Sequence, residues 1–148
     1  MWNSVYPEDE SSFCINMIDA KELKQLSFKV ENDVLNMAPK SKVIQTFVPS
    51  NPGTPLNYYD TQNKLLYILY PESGNYYLIL NKKKTKTMMS GTLPSPFPRI
   101  TGIYGQSRSA TEHLLYFYGE VGLYYVKINK AINAPKEVRL FHLLLTCL

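Results

Sequence analysis

Cysteine is scarce in this chain, with only Cys14 and Cys147 in 148 residues. Two are too few for a disulfide-dense scaffold or for a zinc site built from thiolates alone. Histidine is equally scarce, and neither His113 nor His142 has other ligands around it at metal spacing. There are only seven glycines, and they form neither a Gly-rich phosphate loop nor a Gly-x-Ser-x-Gly nucleophile elbow. The Gly102-x-x-Gly105 spacing is too short to count as either. Charged residues make up 19% of the chain, below the roughly 25% usual in globular domains. No apolar run approaches the ~18 residues of a membrane helix. These shortages lead us to expect no metal, no cofactor and no catalytic constellation. A Ser–His–Asp grouping can be assembled from so many serines, but no spacing selects one.

The ends leave the compartment open. The opening Met1-Trp2-Asn3-Ser4-Val5-Tyr6-Pro7-Glu8-Asp9-Glu10 is acidic and broken by proline, unlike a secretory signal. There is no Asn-x-Ser/Thr acceptor, and Cys147 is not placed for prenylation. Either the protein is intracellular or the sequence is part of a longer chain. The end Leu140–Leu148 is apolar to the last residue, which suits a docked strand or a truncated reading.

What the chain does have is aromatic side chains: twelve Tyr and six Phe within a hydrophobic content of 45%. Such residues pack well on pleated surfaces, and this composition excludes a disordered tail. The length fits one domain. The net charge is +4 and the pI about 9.0.

The aromatics recur with a period near 49 residues, the step from Leu65 to Leu114. Leu65-Leu66-Tyr67-Ile68-Leu69-Tyr70, a Pro-Glu-Ser-Gly turn and Asn75-Tyr76-Tyr77-Leu78-Ile79-Leu80 form one copy. Leu114-Leu115-Tyr116-Phe117-Tyr118, a Gly-Glu-Val-Gly turn and Leu123-Tyr124-Tyr125-Val126-Lys127-Ile128 form the second. One residue is lost at the turn in this alignment. Each copy reads as a β-hairpin, and its near-continuous apolar strands predict burial on both faces.

A multi-strand repeat of ~40–50 residues is the sequence form of propeller blades. The expected fold is therefore all-β, with β-propeller-like repeats of about 49 residues. Candidate units are 12–40 (degenerate), 41–92 and 93–148. Within them, Lys42–Val48 and Arg99–Gly105 are expected as inner strands, with a further strand near Lys84–Met89. Phe13–Ile18 and Leu26–Val30 are expected as strands of the first unit, with a short helix over Lys21–Lys29 as the alternative. A closed ring needs ~4–8 blades, so three units imply an incomplete propeller or a propeller fragment. Its uncovered edges, Leu140–Leu148 foremost, would invite self-association.

Gly102-Ile103-Tyr104-Gly105-Gln106-Ser107, with Leu114-Leu115-Tyr116-Phe117 and Leu123-Tyr124-Tyr125-Val126, resembles a blade segment of the Yellow and major royal jelly protein family. Tyr59-Asp60-Thr61-Gln62-Asn63-Lys64-Leu65 also resembles a connector of that family. The similarity covers roughly 35 residues in two pieces. The chain departs from the pattern at Gln106-Ser107-Arg108-Ser109, where the family has Ala-Leu-Ser-Pro. The resemblance implies a secreted six-bladed propeller that binds small amines or partners without a defined enzymatic activity. A haemopexin-type propeller is the rival resemblance; there Cys14 and Cys147 would tie the first blade to the last.

On the residues alone, Cys14 and Cys147 are either buried free thiols or one long-loop disulfide. His113 is expected to be solvated beside Glu112, and His142 to be a core or edge residue. The run Lys82-Lys83-Lys84-Thr85-Lys86 is either a solvated hairpin exit guarding an edge or a contact for an acidic partner. The neighbouring tyrosines read as core, so no nucleic-acid specificity is expected.

The functional expectation is a non-catalytic β-propeller-type binding or scaffolding module for protein partners or a small ligand. The alternatives are a fragment of a propeller hydrolase whose site lies outside this chain, and a β domain that binds an acidic surface through Lys82, Lys83, Lys84 and Lys86.

Overall fold

The computed structural model describes residues 5–19, 22–36, 39–45, 50–51, 53–93, 100–109, 111–119, 122–129 and 132–141. These residues form three antiparallel sheets. The first takes β1 (Val5–Asp9), β2 (Ser12–Asp19), β3 (Glu22–Glu31) and β5 (Lys40–Gln45) in that order, with the short β4 (Val34–Leu35) paired to the end of β3. The middle sheet runs β6 (Leu56–Asp60), β7 (Leu65–Tyr70), β8 (Tyr76–Leu80), β9 (Thr87–Thr92). The third runs β10 (Ile100–Ser107), β11 (Glu112–Gly119), β12 (Gly122–Asn129), β13 (Ile132–Phe141). The middle and third sheets are meanders in which chain neighbours are sheet neighbours, whereas in the first both β4 and β5 pair with β3. β6 lies beside both β1 and β10, and β9 lies beside β13.

The middle sheet is buried on both sides, which explains why its two central strands, β7 and β8, consist of aliphatic residues and tyrosine alone. In β7 and β8, Leu66, Ile68, Tyr70, Leu78 and Leu80 pack toward the first sheet with Tyr6, Cys14, Leu23 and Ile44. The alternate residues Tyr67, Leu69, Tyr77 and Ile79 pack toward the third sheet with Leu115, Phe117, Tyr124, Val126 and Ile128. The strand period of two sends successive side chains to opposite cores.

Both expected hairpins form, at β7–β8 and β11–β12. Their turns differ more than the sequence alignment suggests. Residues 71–75 join the first pair, with one turn of 3₁₀ helix at Pro71–Ser73, whereas only 120–121 join the second. Leu66 pairs with Leu80, but its counterpart Leu115 pairs with Val126. The register has slid by two residues, and an even slide leaves every side chain on its original face.

The structure adjusts the expected strands in several places. Lys40–Gln45 pairs with β3 in the first sheet, so this part of Lys42–Val48 does not join the middle sheet, whose first strand is Leu56–Asp60. In the first sheet β1 and β5 flank the expected pair of strands. The helix alternative over Lys21–Lys29 gives way to β3, where the alternation of Leu23 and Gln25 buried with Lys24 and Leu26 less so follows the strand period. The strand expected near Lys84–Met89 begins only at Thr87. At the C-terminal end, Leu140 and Phe141 belong to β13, and the remainder of Leu140–Leu148 lies outside the described residues.

Two glycines on β10 are required by close approach. A Cβ on Gly105 would lie 2.5 Å from the Tyr67 ring, which crosses from the middle sheet. A Cβ on Gly102 would run into the Tyr118 ring of the adjacent strand. The first contact is buried between sheets; the second is on an outer face, where Tyr118 is 49% exposed.

Candidate functional site

A cleft of about 360 Å³ opens where the middle and third sheets meet, lined by Asn63, Leu65, Met88, Met89, Ser107, Ser109 and His113. Asp60, the last residue of β6, organises its rim. Its Oδ1 accepts the backbone N–H groups of Gln62 and Asn63, both at 3.0 Å. Its Oδ2 accepts the Asn63 side-chain amide at 2.8 Å and the Ser107 N–H at 3.3 Å. One carboxylate thereby shapes the β6–β7 turn and ties it to the third sheet. Burial alone would raise the Asp60 pKa, but the hydrogen bonds from Asn63, Ser107 and Gln62 outweigh it and hold the carboxyl below the usual range.

The floor of the cleft is His113, whose Nδ1 lies 3.2 Å from the Tyr67 hydroxyl. Burial pushes the Tyr67 phenol up, with the Asp60 charge adding to the effect, so it remains a neutral hydrogen-bonding group. Gly105 leaves the space that Tyr67 needs to reach this position. The expectation of a solvated His113 is corrected here: the side chain is buried, because Ile128 pairs beside it and Tyr67 covers it.

The serine hydroxyls build the loop. Ser107 Oγ donates to the Ser109 carbonyl at 2.9 Å, and Ser109 Oγ accepts the Glu112 N–H at 3.0 Å. Among the described residues no three His, Cys, Asp or Glu side chains converge as metal ligands. The arrangement suits a small molecule with an apolar body against Leu65, Met88 and Met89 and a hydrogen-bonding end toward Asn63, Ser107 and His113.

The lysine run divides. Lys82, Lys83 and Lys86 are exposed, whereas Lys84 is buried between the first and middle sheets. Lys84 Nζ donates to Glu8 Oε1 at 2.5 Å and lies 5.4 Å and 5.2 Å from the ring centroids of Tyr6 and Tyr59. Lys84 is therefore removed from the candidate contacts for an acidic partner. An ammonium desolvated among aromatic faces and paired to a carboxylate is an internal tie.

Around that tie runs a polar network. Tyr6 accepts from Gln25 at 2.9 Å, and Asn16 donates to Asn57 Oδ1 of the middle sheet at 2.9 Å. Cys14 is a free, buried thiol beside Glu8 and Ser27, with its pKa raised mainly by burial. Cys147 and His142 lie outside the described residues.

The outer faces of the end sheets are rich in apolar and aromatic groups. On the first sheet Phe13 stacks on Phe28 at 5.0 Å beside the Ile15–Leu26 pair, with Met17 43% and Val43 41% exposed. On the third, Tyr104, Tyr116 and Tyr125 form a row across three strands with centroids 5.8 Å apart at each step. Tyr104 also meets Tyr58 of the middle sheet at 4.4 Å. Burial, followed by the hydrogen bond with Tyr104, pushes the Tyr58 phenol up to about 12.

The sequence showed neither the cleft nor these faces directly. The Asp60-Thr61-Gln62-Asn63 spacing was the available signal for the cleft, because Asp accepting N–H groups two and three residues on is turn chemistry. No helix among the described residues is long and apolar enough to cross a membrane. No protein-family model, no curated protein and no solved structure matches this chain.

Proposed function

We propose that this chain is a non-catalytic binding module of β-propeller type, an open set of three blades whose end faces are association surfaces. One observation carries the reading: the middle and third sheets use their faces in the same order. Leu66 and Ile68 of β7 look back toward the preceding sheet, as do their counterparts Leu115 and Phe117 of β11. Tyr67 looks forward into the next core, and its counterpart Tyr116 is half-buried on the outer face of the third sheet between Tyr104 and Tyr125. A unit that buries itself only against neighbours leaves a binding surface wherever the neighbours stop. The cleft at Asn63, Ser107 and His113 supplies a second, smaller place for a ligand.

Sedimentation of the chain across a concentration series, with fluorescence of an apolar dye, tests the reading. Association, or dye binding to the folded monomer, is expected. A folded monomer that binds no dye at any concentration overturns it.

A further inference from the structure

The loop between β8 and β9 and the strand β5 bring five lysines to one corner of the molecule. Asn81 locks the loop: its Oδ1 accepts the N–H groups of Thr85 and Lys86 at 2.9 Å and 3.1 Å, and its carbonyl accepts the Lys84 N–H at 2.8 Å. With Lys84 drawn inward to Glu8, the loop leaves Lys82, Lys83 and Lys86 exposed. Lys42 of β5 reaches across from the first sheet, and its Nζ donates to the Lys83 carbonyl at 2.9 Å. Lys40, two residues back along β5, stands on the same face of that strand, about 7 Å away. All five are exposed, and among the described residues none of their ammonium groups lies within ion-pair distance of a carboxylate. Like charges gathered without a counter-charge repel one another, and an anionic partner relieves that repulsion.

β5 is also a free edge. It pairs with β3 on one side and with no described strand on the other, so alternate residues turn their backbone N–H and C=O groups outward. Lysines on such an edge repel a basic strand, β5 of a second copy included, and attract an acidic one. We propose that β5 takes an extended acidic segment of a partner protein as an added strand, with Asp or Glu at alternate positions. Residues i and i+2 of that strand share one face and have the spacing of Lys40 and Lys42. Their carboxylates stand opposite these two lysines and beside the loop that carries Lys82, Lys83 and Lys86. The intervening residues share the side of Ser41 and Val43, where Val43 is 41% exposed and an uncharged side chain fits. The free backbone edge favours a peptide over a nucleic acid, whose phosphates would meet the lysines and leave the edge unpaired. The segment binds at an edge, apart from the end faces of the stack.

The test is fluorescence anisotropy of the full chain with three labelled probes: a short peptide alternating Glu and Thr, a peptide of the same composition with its Glu residues consecutive, and an oligothymidine of equal length. The alternating peptide should bind at least ~10-fold more tightly than either other probe, and more weakly as salt rises. Lys42→Gln and Lys83→Gln should each weaken it about 3-fold or more. Arg108→Gln, which removes the same charge beside the third sheet, should leave it within about 2-fold. Circular dichroism checks that each variant folds, and Lys40→Gln replaces Lys42→Gln should the latter fail. Amide hydrogen exchange in Lys40–Gln45 should slow on binding, because an added strand covers the outward N–H groups of β5. No binding of the alternating peptide, equal binding of all three probes, an equal loss in Arg108→Gln, or binding with β5 exchange unchanged overturns the proposal. None of these results bears on the end faces, which the apolar dye reads.

Discussion

The two junctions of the stack share one topology but are held by different chemistry. Between the first and middle sheets, Asn16, Gln25, Asn57 and Lys84 are buried, and each has a partner. Between the middle and third sheets the core is Tyr67, Leu69, Tyr77 and Ile79 against Leu115, Phe117 and Val126, with polar groups confined to the Asp60–Asn63–Ser107 rim and the Tyr67–His113 pair. An apolar junction gains with area and tolerates small misfits. A polar one gains little per bond but costs much when one partner is lost. Both junctions thus adhere through apolar cores, and the first adds a buried polar network that penalises any misfit.

The largest effect should come from cutting into the apolar core between the middle and third sheets. Phe117→Ala removes a fully buried ring that stacks on Tyr124 at 5.6 Å, and a loss of ~3–5 kcal/mol is expected in urea unfolding. Asn16→Ala strands the Asn57 carbonyl oxygen in the other junction and should cost ~1–3 kcal/mol. A cost below that of an exposed-site control would show that the network does not specify the first junction.

Acid should discriminate between the junctions as well. The folded Asp60 carboxyl is held below its ordinary 3.8, so its contribution is complete above that value and is lost as pH falls through the lowered folded value. Unfolding free energy measured below pH 3.8 should fall faster for the wild type than for Asp60→Asn. Parallel curves would remove Asp60 as the tie between the middle and third sheets. The smallest effect belongs to Tyr77→Phe. The Tyr77 hydroxyl is buried with no hydrogen-bond partner among the described residues, so its removal should leave stability unchanged or raise it by about 1 kcal/mol. A clear loss would reveal a partner.

The hairpins were legible because strands buried on both faces carry a near-continuous apolar signal, and Leu65–Tyr70 and Tyr76–Leu80 do so. β6 was not legible as a strand, because Asn57 and Asp60 interrupt it with polar groups whose partners, Asn16 and Ser107, are distant in sequence. For the same reason Lys84 was indistinguishable from its neighbours: the carboxylate that draws it inside is Glu8, from the other end of the chain. β5 was visible as a strand, but local pattern does not say which sheet a strand will join. His113 looked exposed beside Glu112, since only the tertiary fold brings Tyr67 over it.

The two-residue offset between the β7–β8 and β11–β12 hairpins bears on how such hairpins can vary. Hairpin loops in such a stack lengthen and shorten most readily when strand register shifts by an even number of residues, because both cores then keep their occupants. An odd shift would exchange the tyrosine and aliphatic faces of a whole strand at once. Variation among hairpins of this kind is therefore quantised at the turns. Two units can lose recognisable spacing there while their faces still point in the same directions.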